Sequence, residues 1–139
     1  MFPLDNEEGH GRGSDSAAIS NMVVAVLREY TGRGPTKART YITDNVITCV
    51  LGDSLTKGEQ VLVAAGQDKQ VLELRHTFQN TMRKDLVGGV ERVTERKVIA
   101  FVSSNHIDPD LAVETFVLEP LAKHDGDTER HEPDLHAVE

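Results

Sequence analysis

Tryptophan is absent from this chain of 139 residues, aromatics make up only 4%, and cysteine occurs once, at Cys49. A single cysteine excludes an internal disulfide, and the simplest expectation is a soluble protein of a reducing, cytoplasmic compartment. With so few rings, the core must rest on Val, Leu, Ile and a few Phe. No window approaches ~18 uninterrupted apolar residues, so no membrane span or direct insertion is expected. The first residues carry no cationic stretch followed by an apolar one, so no signal peptide is expected either. Bases are also scarce, with 15 Lys and Arg against 23 Asp and Glu, for a net charge of -8.

That acidity is unevenly placed. Residues 1–15 hold four acids and one Arg, residues 120–139 hold six acids and two bases, and the stretch 16–119 is nearly neutral at -1. DNA binding as a main function is therefore disfavoured, because counterion release needs a concentrated basic surface. RNA binding meets the same objection and also lacks stacking aromatics. A local cationic site within the neutral stretch stays open. The length fits one domain with tails. Residues 1–15 read as a flexible leader, 16–120 as the folded domain, and 121–139 as a disordered acidic tail. Gly9, Gly11 and Gly13 alternate in the leader, but no strand precedes them, so a phosphate loop is not indicated.

Ser14 or Asp15 is positioned to cap a first helix. Ile19, Val23, Val26, Leu27 and Tyr30 follow at helical spacing. Gly32 is placed to end that helix in a left-handed conformation, and Pro35 prevents its resumption. Thr40–Ile42 and Val46–Leu51 read as extended segments around an Asp44-Asn45 turn. Thr56 with Glu59 three residues on is a capping-box pattern, opening a second helix whose buried side is expected to be Leu62, Val63 and Ala65. A long helix is predicted from about Asp68 to Thr94 on the stripe Val71, Leu74, Phe78, Met82, Leu86, Val90 and Val93, with a kink or close packing at Gly88-Gly89. Lys97–Ser103 and Leu111–Glu119 complete the strands. The expected fold is α+β, a single small domain in which a mainly antiparallel sheet of about four strands packs with three helices.

The strands are rather apolar on both faces. In Val46–Leu51 one face shows Val46, Thr48 and Val50, and the other Ile47, Cys49 and Leu51. A sheet covered on one side only alternates more sharply. Three helices are few for two faces, so a homodimer covering one of them is expected.

No catalytic constellation stands out, and no cofactor or metal is indicated. The segment Gly32-Arg33-Gly34-Pro35-Thr36-Lys37-Ala38-Arg39-Thr40-Tyr41-Ile42 is the most distinctive. Backbone amides near a Gly-rich turn can converge on an anion. Arg33, Lys37 and Arg39 would add charge, Thr36 and Thr40 hydroxyls, and Gly34 close approach, so these six residues are the candidate ligand or partner site. The plainer alternative is that the glycines only turn the chain while the cations meet solvent or pair with Glu29 and Asp44. A second candidate is the polar stretch Ser103, Ser104, Asn105, His106, Asp108 and Asp110, which gathers groups able to move protons but also reads as ordinary turn chemistry. An enzyme or a small-ligand sensor for phosphate or carboxylate would need this loop and the corner to meet in space. The charges along the long helix, Arg75 among them, read as a solvated face. Three of the histidines lie in the acidic C-terminal tail without metal-finger spacing. Cys49, among apolar neighbours, reads as buried and inert.

From Ile19 onward the chain resembles the MpsC family. The resemblance rests on Ile19-Ser20-Asn21, on the Gly32–Ile42 block, on Leu51-Gly52, on Leu55-Thr56-Lys57-Gly58-Glu59, on Val98 and Phe101, and on Ala112–Glu119. The Gly-Arg-Gly-Pro-Thr-Lys block is its specific part. Thr94 is followed here by Glu95, where the family pattern favours Gly. The resemblance implies a cytoplasmic, non-catalytic accessory component of a membrane-potential-generating system, associated with cation translocation or inorganic-carbon uptake. Taken with the cationic corner, the expected partner is a membrane transport protein or a small anion.

Overall fold

A computed structural model describes residues 10–121, with side chains from residue 13 onward. Most of the expected leader and nearly all of the acidic tail lie outside the described residues. The element order is α1 (His10–Thr31), β1 (Lys37–Thr43), β2 (Val46–Gly52), α2 (Lys57–Ala64), α3 (Asp68–Thr94), β3 (Val98–His106) and β4 (Leu111–Leu118). The four strands form one antiparallel sheet in the order β1-β2-β4-β3. The expected α+β architecture of three helices and four strands is what the described residues adopt.

The first helix starts earlier than a cap at Ser14 or Asp15 would allow. No proline lies between residues 10 and 15, and the two glycines there cost only ~1 kcal/mol each. Its end is as expected, with Gly32 at φ 81 and its amide bonded to the Arg28 carbonyl at 2.9 Å. The β1–β2 hairpin turns through Asp44, whose φ is 53. Helix α2 carries the full capping box between Thr56 and Glu59. Its burial differs from expectation. Glu59 is the buried residue, Leu62 and Val63 are half-buried, and Ala65 is exposed. The α2 helix leans on α3 rather than on the sheet, so it has little apolar surface to cover.

Along α3 the buried line runs Val71, Arg75, Gln79, Met82, Leu86 and Val90, while Leu74 lies at the surface. Gly89 is a close-packing site, because a Cβ there would run into the Met22 thioether of α1. Glu95 ends α3 in the left-handed region at φ 59, the conformation that a glycine adopts at no steric cost.

The core is built from one face of the sheet. Ile47, Cys49, Leu51, Ala112, Phe116 and Leu118 meet Ile19, Val23 and Leu27 of α1 and Met82, Leu86 and Val90 of α3. Phe101 and Phe116 stack at 4.9 Å between ring centres. Both long helices therefore lie on the same side. The opposite face carries no helix among the described residues.

Candidate functional site

The Gly-Pro corner is held from within. Gly32 closes the helix, and Gly34 lets the chain turn back against it, since a Cβ there would sit 3.0 Å from the Val24 carbonyl oxygen and 3.1 Å from Val24 Cγ1. Pro35 is buried behind them. Arg33 reaches the β2–α2 turn, where its Nη1 donates to the carbonyls of Asp53 at 2.7 Å and Leu55 at 3.0 Å. Its Nη2 pairs with Asp53 Oδ1 at 3.0 Å. Thr36 donates to the other carboxylate oxygen of Asp53 at 2.6 Å. The Thr36 hydroxyl and then the Arg33 guanidinium hold the Asp53 carboxyl below its ordinary range. The acid that answers Arg33 is thus Asp53, not Glu29 or Asp44.

The other candidate residues divide between the two faces of β1. Lys37 and Arg39 share the open face, with the Arg39 guanidinium 5.4 Å from the Tyr41 ring centre. Thr40 faces inward, where its hydroxyl meets Ser20 Oγ at 2.7 Å and Cys49 Sγ at 3.3 Å. Cys49 is buried, as expected, and burial pushes its thiol up to about 12. The corner thus groups Arg33 and Thr36 around Asp53, packs Gly34 against Val24, sends Lys37 and Arg39 outward, and sends Thr40 into the core.

The corner and the polar loop do meet. Asp110 accepts the Leu55 amide at 2.9 Å and the Ser54 hydroxyl at 3.4 Å, and its carbonyl accepts the Asp53 amide at 3.3 Å. His106 turns away to the Pro109 carbonyl at 2.9 Å, and Ser104 lies on the open face. Asn105 points inward instead, into a network that composition and motif reasoning did not find. Arg75 of α3, expected on a solvated face, is buried. It donates to Glu59 Oε1 at 2.8 Å, to Ser54 Oγ at 2.8 Å and to Asn105 Oδ1 at 3.0 Å. Gln79 exchanges two hydrogen bonds of 3.0 Å with Asn105 and donates to Glu114 Oε2 at 3.4 Å. The signal was present in spacing, since Arg75 and Gln79 follow Val71 at intervals of four and so fall on the buried line.

Glu114 is fully buried on the core face of β4. Its Oε1 and the Ser103 hydroxyl, on paired residues of neighbouring strands, are buried without a hydrogen bond of good geometry. Burial pushes the carboxyl up to about 7, against the nearby Ser103 hydroxyl, the Arg75 charge and Gln79. A small recess of about 20 Å³, room for about one water, lies over this network, with Leu27, Phe78 and Met82 on its apolar side and Arg33, Ser54 and Arg75 on its polar side. Among the described residues, no group of three or more His, Cys, Asp and Glu is placed to hold a metal, and no helix is long and apolar enough to cross a membrane.

Residues 12–120 match the family described as Na+-translocating membrane potential-generating system (MpsC). The chain belongs to the MpsC family. The match spans the corner, the recess and all four strands, so each feature described above lies within the family domain. The family description associates this MpsC chain with a membrane-potential-generating system. It is similar to the uncharacterized protein YrhF of Bacillus subtilis (strain 168), with 24% identity over 103 residues, which are 73% of this chain and 84% of the relative. No solved structure matches the chain.

Proposed function

We propose that this MpsC chain is a non-catalytic accessory component on the cytoplasmic side of a cation-translocating system, and that it meets an acidic surface of a membrane partner through Lys37 and Arg39. The observation that carries this reading is their placement on the outward face of the edge strand β1, next to a corner stiffened by Gly32, Gly34, Pro35 and the Arg33–Asp53 pair. A rigid mount lowers the ordering cost of a contact. Arg33 braces the mount, and the outward pair makes the contact. Arg75, Gln79 and Asn105 of the polar network are taken up by one another and by Glu59 and Ser54, which supports a structural role for them.

The test is binding of the purified chain to vesicles that carry the membrane subunit of the same system. K37E/R39E is expected to weaken binding about tenfold or more, and rising salt is expected to weaken the unmodified chain. Equal binding by the charge-reversed variant removes the reading.

A second reading, a small-oxyanion sensor, is favoured by one observation. Arg33 and Arg75 line the same recess where the corner meets the Asp110 loop. Titration with inorganic phosphate, followed by amide NMR, is expected to shift Arg33, Ser54 and Leu55 together. Unmoved resonances at millimolar phosphate exclude this reading.

A further inference from the structure

We infer that the open face of the sheet is a two-fold interface whose occupant is a second copy of this chain. The inference goes beyond the partner contact proposed above and rests on the middle of the same sheet face, with Lys37 and Arg39 at its edge.

The strand register sets this face out as four rows of four residues. Across the strands they read Thr43, Val46, Val117, Ala100; then Tyr41, Thr48, Thr115, Val102; then Arg39, Val50, Val113, Ser104; then Lys37, Gly52, Leu111, His106. No acid occupies any of these positions. The two cations sit on the edge strand, and the two central strands present only Val, Thr, Leu and Gly. Tyr41 is 49% exposed, Val102 58%, and Ile99 at the adjoining bulge 54%. Seven of the sixteen positions are Val, Leu or Ala, and Val, Thr, Leu and Gly fill the two central strands, a more apolar middle than a solvated face ordinarily has.

Size agrees with an interface. Strands about 4.8 Å apart and rows about 6.8 Å apart outline a footprint of roughly 500 Å². An ordinary stable interface takes ~800 Å² from each partner, and this face with Ile99 at its bulge would supply the larger part of it.

The chemistry selects a second copy over an acidic partner. Carboxylates laid across Val46, Val50, Val113 and Val117 would be stripped of water with only the neighbouring Thr hydroxyls to bond. An identical face brings Val and Thr against Val and Thr, and two such sheets pack about 10 Å apart with strands roughly 30° from aligned. A two-fold axis along the strands sets β1 over the partner's β3. Tyr41 then faces the partner's Val102, and Arg39 the partner's Ser104. This keeps the two Lys37–Arg39 pairs on opposite rims, where polar groups belong. An axis across the strands would gather all four cations on one rim.

The experiment is sedimentation equilibrium of the full chain between about 1 and 100 μM, with far-UV circular dichroism as the fold check. The unmodified chain is expected at twice the monomer mass. V102E is expected to be monomeric, with dissociation raised at least a hundredfold. Should V102E lose its helical signal, Y41K in the same row supplies the same reading. V61E, on the exposed side of α2, is expected to leave the mass unchanged. A monomeric unmodified chain at 100 μM overturns the inference. So does a folded V102E or Y41K that dimerises normally, or dissociation by V61E alone. Lys37 and Arg39 sit at the edge of this face, so K37E/R39E is sedimented as well: lost vesicle binding by a variant that still dimerises concerns the partner contact alone, and a monomeric V102E that still binds vesicles concerns the interface alone.

Discussion

Arg75 Nη1 stands 2.8 Å from Glu59 Oε1, and the two side chains keep only 10% and 5% of their exposure. This pair ties α2 to α3. Glu59 serves twice, since the same oxygen accepts the Thr56 amide at 2.8 Å in the capping box. One carboxylate thus ends a helix and neutralises a buried cation.

Removing one partner should cost far more than removing both. Arg75→Met leaves a buried carboxylate without its cation, and a loss of about 3–5 kcal/mol is expected. The double variant Arg75→Met with Glu59→Leu should recover part of that loss, although the leucine side chain gives up the capping box. Urea unfolding of the single and double variants measures the difference. A single variant as stable as the unmodified chain would show that the pair contributes nothing.

Glu114 should make stability depend on pH in a defined window. Its carboxyl titrates near 7 when folded, against an ordinary value of 4.5. Below 4.5 both states hold the proton. Between 4.5 and 7 the unfolded chain releases it while the folded chain keeps it, so stability falls as pH rises through that window. The fall is about 3 kcal/mol at most. Glu114→Gln carries no charge and should flatten the slope and be the more stable protein at pH 8. Denaturant midpoints from pH 4.5 to 8 test this, and an unchanged slope in the Gln variant would refute it.

Gly34 and Gly58 should respond oppositely to alanine. At Gly34 the new methyl presses on the Val24 backbone oxygen, and the expected cost is about 1–2 kcal/mol. At Gly58, in the first turn of α2, a Cβ meets nothing within 4 Å, and a gain of up to ~1 kcal/mol is expected from helix propensity. Thermal melts of both variants compare them. A harmless Gly34→Ala would mean that the corner is not packed against α1.

Local chemistry made much of the architecture legible. The Thr56–Glu59 box, the stop at Gly32, the Asp44-Asn45 turn and the apolar period of α3 each act over a few residues, where spacing alone states the interaction. Inward and outward positions of β2 and β4 followed from alternation in the same way. Which of those two faces the helices cover was not legible, since both are apolar and the choice depends on where α1 and α3 cross the sheet. Arg75 looked like part of a solvated charge run, because its partners Ser54, Glu59 and Asn105 are distant in sequence. Lys37, Arg39 and Thr40 looked like one cluster with Arg33, and strand alternation separated them. The chain by itself determined the elements and their order through short-range hydrogen bonding and periodicity. The tertiary structure alone decided that Asp53 answers Arg33, that Glu114 lies in the core, and that one sheet face stays open, because each depends on desolvation and on contacts between residues far apart in the chain.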